Sequence, residues 1–524
     1  MLVFCPTKND CEKTAAKLSV YLSKMKAIKA DANEDLSMAL NIKDTVDEPI
    51  VKKAERESLI SDLRNLPCGL CPILSETIKQ GIAYHHSGLT TEERKIIEDA
   101  YRKGILCIIA ATSTLSTGIN LPAKAVIFHM PYIGMEFINN VKYKQMSGRA
   151  GRTGFDPKGE SIIVCNAKEK ARIQSEVFSS FNQNVKSGLN HQELSKGILE
   201  AVSSGLVLHL SELKQFLEQT LRWFLCTSDY CHRCNYSYSE NLLLFDKTKK
   251  PFKDAPELMN LWIYLNTHNT LEYDDTQLNE QCRNCLLQYS KQVIGYLLCM
   301  KLLIFNNLQL KIIPTPIGKG AFAGCIPPVM AFGIYEELQE TRKRGIRLDT
   351  DLQLLYLTTA VNDPVPLPKW NEMVKNYRKL KEADKAIATE YGINEDLMYQ
   401  YKFSGVNLRE LLNGPNAKKR REVLSVSRFY LAMILNDIIY EYPLGIGYLL
   451  FIGALYKAYS INRGELQVLQ NNAGIHAGML ATFCERTCMP DLALLFHRIA
   501  ERLRLSIQEE LLDIMRIRSL RAEK

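Results

Sequence analysis

The sequence predicts an α/β domain built on a parallel sheet, followed by a winged helix and then an all-α bundle. Three observations carry this. From residue 1 to about 170, short β-branched strands alternate with amphipathic helices, and that alternation buries a parallel sheet between helical layers. Ile294 to Ile313, with Thr315-Pro316-Ile317-Gly318 following, reads as helix and then β-hairpin wing. Beyond Pro327, helices follow one another, with loops at Asn362–Pro368 and Asn413–Asn416. The domains expected are 1–175, 176–326 and 327–510, with 511–524 opening a further module, in keeping with a length of 524 residues.

In the first domain the expected strands are Leu2–Cys5, Gly81–His85, Ile105–Ala111, Ala125–Phe128 and Glu160–Cys165, with helices over Asp10 to Met25 and Thr91 to Lys103. Thr90-Thr91-Glu92-Glu93 supplies a capped helix start, because a Thr hydroxyl and a Glu three residues on can satisfy each other's backbone N–H groups. The polar span Asp31 to Glu57 has little periodicity and reads as an exposed insertion.

Composition bounds the function loosely. Hydrophobic content of 46% with 24% charged residues supports a large core, and a net charge of +8 suits a nucleic-acid partner without requiring one. Fifteen cysteines point to thiols in a reducing compartment, with any grouping among them metal-binding rather than disulfide. The longest apolar run, Tyr442 to Tyr456, is interrupted by Pro443, Gly445, Gly447 and Gly453 and is too short to span a bilayer, so no membrane partner is expected. Met1-Leu2-Val3-Phe4 leads directly into Pro6, Thr7 and Lys8, unlike a signal peptide.

The chemistry concentrates between residues 111 and 152. Arg149 and Arg152 sit in a Gly-Arg-Ala-Gly-Arg turn, and Gly118 and Asn120 close a polar loop after the Ile105–Ala111 strand. Guanidinium groups on a glycine-tight turn suit the far wall of a phosphoryl-transfer site, where they neutralise charge developing on a γ-phosphate. No G-x-x-x-x-G-K-[ST] occurs, since Ile317-Gly318-Lys319-Gly320 lacks the upstream glycine and a following Ser or Thr. Asp47-Glu48 runs into Pro49-Ile50 and gives no Mg²⁺-binding acidic box.

Met1 to Lys8, Tyr84-His85-His86-Ser87-Gly88-Leu89, Thr112 to Pro122 and Gln145 to Arg152 resemble, in order, helicase motifs IV, IVa, V and VI of superfamily 2. The spacing Pro131-Tyr132, Glu136-Phe137 and Tyr143-Lys144-Gln145-Met146 resembles the DNA-repair helicases of the helicase POLQ-like and DNA polymerase theta helicase-domain family. That resemblance implies a second RecA-like domain, a winged helix and a ratchet bundle, the C-terminal part of an ATP-dependent DNA helicase travelling 3′ to 5′ in the nucleus. It further implies that Arg149 and Arg152 reach the γ-phosphate, that Gln145 orients the site, and that Gly118 and Asn120 lie by the nucleotide. ATP and Mg²⁺ would be held mainly by a first RecA-like domain. The ends resemble an interior strand and the start of a helix-hairpin-helix module, as in a chain truncated at both ends. Such a chain alone is expected to be inactive.

The partners implied are single-stranded and forked DNA. Thr112 would face a nucleic-acid phosphate, and the His86 loop would contact the backbone. His129 to Val141 would supply a strand-separating hairpin with Tyr132, Ile133, Met135 and Phe137 as wedge candidates; the alternative is a loop packed under its own domain. Asn462-Arg463-Gly464-Glu465-Leu466 opens a helix resembling the ratchet helix, with Arg463 as a nucleic-acid contact. The positions at which relatives carry a stacking tryptophan and an arginine fall here on Ile475 or His476 and on Val468 or Gln467, so a purely structural bundle helix is the alternative. The run Lys418-Lys419-Arg420-Arg421 reads as a solvated face. Cys231 and Cys234 with Cys282 and Cys285 form two C-x₂-C pairs able to hold Zn²⁺, against buried free thiols as the alternative. An RNA helicase of the same superfamily would need an inserted arch domain, for which the Cys-rich stretch 227–280 is short. A non-catalytic DNA-binding fragment is the remaining alternative.

Overall fold

A computed structural model describes residues 1–31, 51–66, 69–116, 121–151, 158–178, 187–224, 278–306, 309, 311–359, 369–403, 417–440, 458–459 and 461–505. Five strands form one parallel sheet in the order β2 (Ile82–His85), β3 (Ile108–Ala111), β1 (Leu2–Phe4), β4 (Ala125–Phe128) and β7 (Glu160–Ile163). Central β1 is buried throughout, and Val3 lies between Ala110 and Ile127. Apolar side chains on both faces explain this: helices Lys8–Asp31, Pro72–Lys79 and Thr91–Arg102 cover the sheet, as parallel sheets require. The Thr90–Glu93 capping box forms, with Thr90 Oγ1 accepting from Glu93 N and Glu93 accepting from Thr90 N.

The expected insertion over Asp31 to Glu57 is corrected in part. Residues 32–50 lie outside the described residues, but Val51–Asn65 is a helix that buries Leu59, Ile60 and Leu63. It also buries Arg56, which donates to the carbonyls of Ile105 and Lys79 at 3.2 and 3.5 Å. The guanidinium occupies the space a Cβ would need at Gly81, whose φ of +76° already favours glycine. Within the span ending at Glu57 the buried side chain is the charged Arg56, and the apolar spacing of Leu59, Ile60 and Leu63 lies beyond it, so polarity alone reads this part of the helix as an insertion.

A separate small hairpin, β5 (Tyr132–Ile133) with β6 (Glu136–Phe137), follows β4. Residues 191–323 contain the winged-helix elements: the Leu278–Cys299 helix runs into the antiparallel pair β8 (Leu303–Asn306) and β9 (Lys311–Pro314). Thr315 then caps a new helix, Pro316–Ala323, accepting from Gly318 N at 3.0 Å. One apolar core spans Leu2 to Val177, and a second runs from Leu194 to Leu503, so the winged helix and the bundle share their interior. The helix Lys418–Tyr440 is the one described helix long and apolar enough to cross a membrane. Its length is accounted for by the second core, where Phe429, Ala432, Leu435 and Ile439 are fully buried. The apolar run Tyr442 to Tyr456 lies outside the described residues. The last described helix, Pro490–Leu505, is tied in by buried Arg502, which donates to both oxygens of Asp351 at 2.8 and 2.7 Å.

Candidate nucleotide and nucleic-acid surfaces

The sequence motifs divide between opposite ends of the sheet. At the amino ends of β4 and β7, Ala123 N donates to Arg149 O at 2.9 Å and Gly151 N donates to Ala123 O at 2.8 Å. The Arg149 turn is thereby laced to the end of the preceding motif by backbone hydrogen bonds. Two glycines make this possible. Gly151 adopts φ +97°, and a Cβ on Gly159 would lie 2.4 Å from the Ala150 carbonyl carbon. Arg149 is half-buried and Gln145 is exposed on the Asn140–Ser147 helix, whose start Asn139 caps by accepting from Lys142 N. Gly118, Asn120 and Arg152 lie outside the described residues.

At the carboxyl ends of the strands stand the other motifs. Thr112 follows β3, with its N–H on His85 O and its hydroxyl 3.0 Å from that of Thr114. The 131–138 hairpin follows β4 and reaches over β1, Gly134 N donating to Pro6 O. The helix Asn140–Ser147 connects the two ends, a rise of about 12 Å for eight residues.

His86 has a different setting from the phosphate contact expected of it. The ring is only 3% exposed, Nδ1 accepts from Gly88 N at 3.1 Å, and Nε2 lies 3.2 Å from Glu12 Oε1. With Nδ1 an acceptor, the proton sits on Nε2 and is donated to Glu12, so both nitrogens are engaged and neither faces a ligand. His85 is fully buried on Glu98. Their motif therefore shapes a turn.

Burial, helped by Lys8 and His85, lowers the His86 pKa from 6.5 to about 4. The unfolded ring binds its proton near 6.5, so the stability this group contributes is full above that value and is lost as pH falls through 4. His85, also lowered by burial, acts in the same sense, while Glu12, raised by its own burial, offsets part of the loss. Hydrogen-exchange protection at Ile109 and Ala110 should thus fall between pH 7 and pH 4 by an amount worth roughly 3 kcal/mol, and His86→Gln should flatten the slope. Equal slopes in the two proteins would remove His86 from the account.

The hairpin residues are not equivalent. Tyr132 donates to Glu169 at 2.9 Å and meets Phe137 edge-on, while the Arg172 guanidinium covers Phe137 at 4.0 Å. Ile133 is half-buried against the first core. Gly134, at φ +61°, opens a two-residue turn that leaves Met135 98% exposed. Of the four wedge candidates, Met135 alone projects freely.

Arg463 begins the Arg463–Arg486 helix, capped by Asn462 accepting from Glu465 N. The residues of the two pairs differ in their surroundings. His476 Nδ1 lies 2.8 Å from Thr358 O, and Gln467 is bound to Thr91 and Glu92. Val468 and Ile475 are the outward pair, 49% and 64% exposed. Aliphatic side chains cannot stack on a base as an aromatic ring does. Cys282 and Cys285 lie one turn apart on the Leu278–Cys299 helix, and Cys231 and Cys234 fall outside the described residues.

Sequence reasoning singled out Arg463 on this helix but missed Gly464, Glu465 and Gln467 as residues with partners in another domain, since their partners lie far away in the chain.

Three family models match in succession. Residues 42–154 match the helicase conserved C-terminal domain, 159–237 a helix-turn-helix domain, and 328–503 the helical domain of the DNA_pol_Q helicase-like region. DNA polymerase theta of Drosophila melanogaster is 28% identical over 527 residues, covering 99% of this chain and 22% of that protein. Helicase POLQ-like of Homo sapiens is 28% identical over 490 residues, covering 92% of this chain and 37% of that protein. ATP-dependent DNA helicase Hel308 of Caldivirga maquilingensis is 32% identical over 231 residues, covering 43% of this chain and 28% of that protein. The chain thus spans well under half the length of these curated relatives. With motifs, domain order and relatives in agreement, the chain is similar over most of its length to the C-terminal part of the helicase region of the superfamily 2 helicases helicase POLQ-like and DNA polymerase theta.

Proposed function

We propose that this chain is the C-terminal portion of an ATP-dependent DNA-repair helicase of the nucleus, moving 3′ to 5′ along one strand of forked DNA. In this reading Arg149 and Arg152 complete a nucleotide site whose ATP and Mg²⁺ are held by a first RecA-like domain, with Gln145, Gly118 and Asn120 at its edge. Closing that cleft on ATP and reopening it on hydrolysis moves the strand. The observation that carries the reading is the division of the motifs: the arginine turn at the amino ends of the sheet, Thr112 and the Met135 hairpin at the carboxyl ends. One rigid sheet can then sense nucleotide on one side and hold nucleic acid on the other.

A second reading, a DNA-binding module without catalysis, is favoured for these 524 residues by the missing G-x-x-x-x-G-K-[ST]. Both readings expect the chain by itself to bind single-stranded oligo-dT in a salt-dependent way and to release no phosphate from ATP. Fluorescence anisotropy and a phosphate-release assay check this. Failure to bind oligo-dT at low salt would reject both, and equal preference for RNA of the same sequence would favour the RNA helicase.

A further inference from the structure

The turn Ser87-Gly88-Leu89 of the sheet domain lies directly against the start of the Arg463–Arg486 helix. Gly464 N donates to Gly88 O at 3.2 Å, and a Cβ on Gly464 would lie 2.3 Å from Ser87 O and 2.8 Å from Leu89 O. The backbones approach so closely that only glycine fits. Polar contacts flank this point on both sides. Lys8 Nζ donates to Glu465 Oε1 at 2.8 Å. Thr91 N donates to Gln467 Oε1 at 2.8 Å, and Gln467 Nε2 donates to both Glu92 oxygens at 3.0 and 3.3 Å. About four turns further on, the same helix meets the Pro316–Ala323 helix through a second pair of glycines. A Cβ on Gly320 would lie 2.9 Å from the Phe483 ring, and one on Gly324 would lie 2.7 Å from Met479 O. From Gly464 to Met479 the rise is about 22 Å, and between the two fixed points Val468, Asn471 and Ile475 face outward.

We propose that the Arg463–Arg486 helix is a strut locked to the sheet domain at Gly464 and to the winged-helix elements at Gly320 and Gly324, with Lys8, Glu465 and Gln467 as positioning residues. The buried His86–Gly88 contact sets the shape of the turn that receives it. Locked at both ends, the strut holds its outward face at a fixed distance from the carboxyl ends of the strands. When the sheet domain rotates, the face moves with it as one body. The helicase reading gives this its use, since a strand lying on that face would be carried forward with the sheet. A flexible link at the same place would let the sheet turn without moving the strand.

The test uses the full chain, with two dyes introduced as unnatural amino acids at the exposed positions Lys103 and Leu494, and single-molecule energy transfer without nucleotide or DNA. The wild-type chain should give one narrow distribution. Gly464→Ala should broaden it at least twofold, because the added methyl cannot fit against Ser87 O. Gln467→Glu, which sets a carboxylate against Glu92, should broaden it while leaving both cores folded by circular dichroism. Adding Glu92→Gln to that variant restores an amide facing a carboxylate and should return the wild-type width, a rescue that a merely structural defect would not show. A broad wild-type distribution, or Gly464→Ala and Gln467→Glu variants as narrow as wild type, would overturn the strut. Because no DNA or ATP is present, that outcome leaves the helicase reading to the oligo-dT assay.

Discussion

Arg149→Ala, introduced into a protein that also carries the P-loop-bearing domain, is expected to lower DNA-stimulated ATP turnover by about 10³-fold while changing ATP affinity little. The asymmetry follows from when the guanidinium acts. In the proposed role, the charge it would neutralise grows on the γ-phosphate as the bond to the leaving group breaks, so the contact would be stronger in the transition state than in the ground state. Position matters as much as charge. Arg149 is half-buried on a turn whose carbonyl is held by Ala123 N, so its reach is set by backbone hydrogen bonds. Arg149→Lys should therefore recover only a small part of the loss, because a flexible ammonium lacks the planar fork. Phosphate release under single-turnover conditions measures the chemical step directly. Turnover within twofold of wild type in Arg149→Ala would remove this residue from the site.

In the same protein carrying the P-loop-bearing domain, Met135→Asp is expected to reduce unwinding of a forked duplex by about tenfold or more while sparing single-strand-stimulated hydrolysis. Opening one base step costs a few kcal/mol of stacking, and each 1.4 kcal/mol left uncompensated at the fork is about a tenfold change in rate. An apolar side chain placed against the last pair replaces some of that contact, whereas a carboxylate would also face the phosphates. Met135 is the residue to change because Tyr132 and Phe137 are held by Glu169 and Arg172 as the hairpin's own support. Tyr132→Phe should accordingly act as a mild control, losing one hydrogen bond and no apolar edge. Hydrolysis should survive because the hairpin and the Arg149 turn lie at opposite ends of the sheet. Unwinding and hydrolysis falling together would make the hairpin a folding element, and neither falling would place the wedge elsewhere.

What could be read from the sequence was local. The alternation of short β-branched runs with amphipathic helices located all five strands of the sheet to within a few residues; the central ones are apolar because they are buried on both faces, while the edge strand β7 is exposed. The Thr90–Glu93 cap was legible because both partners lie within four residues. The order of the arginine, glycine and hydroxyl motifs was enough to name the family. The tertiary structure decided everything that depends on distant partners. It separated the arginine turn from the Thr112 and Met135 loops by the length of a helix, buried His86 inside a turn, and left Met135 alone at the hairpin tip. It turned Val468 and Ile475 outward while Gln467 and His476 went to partners on other elements. It also brought Gly464 against Gly88, a contact between residues hundreds of positions apart. Periodicity reports which face of an element is covered, but the identity of what covers it comes only from how the elements pack.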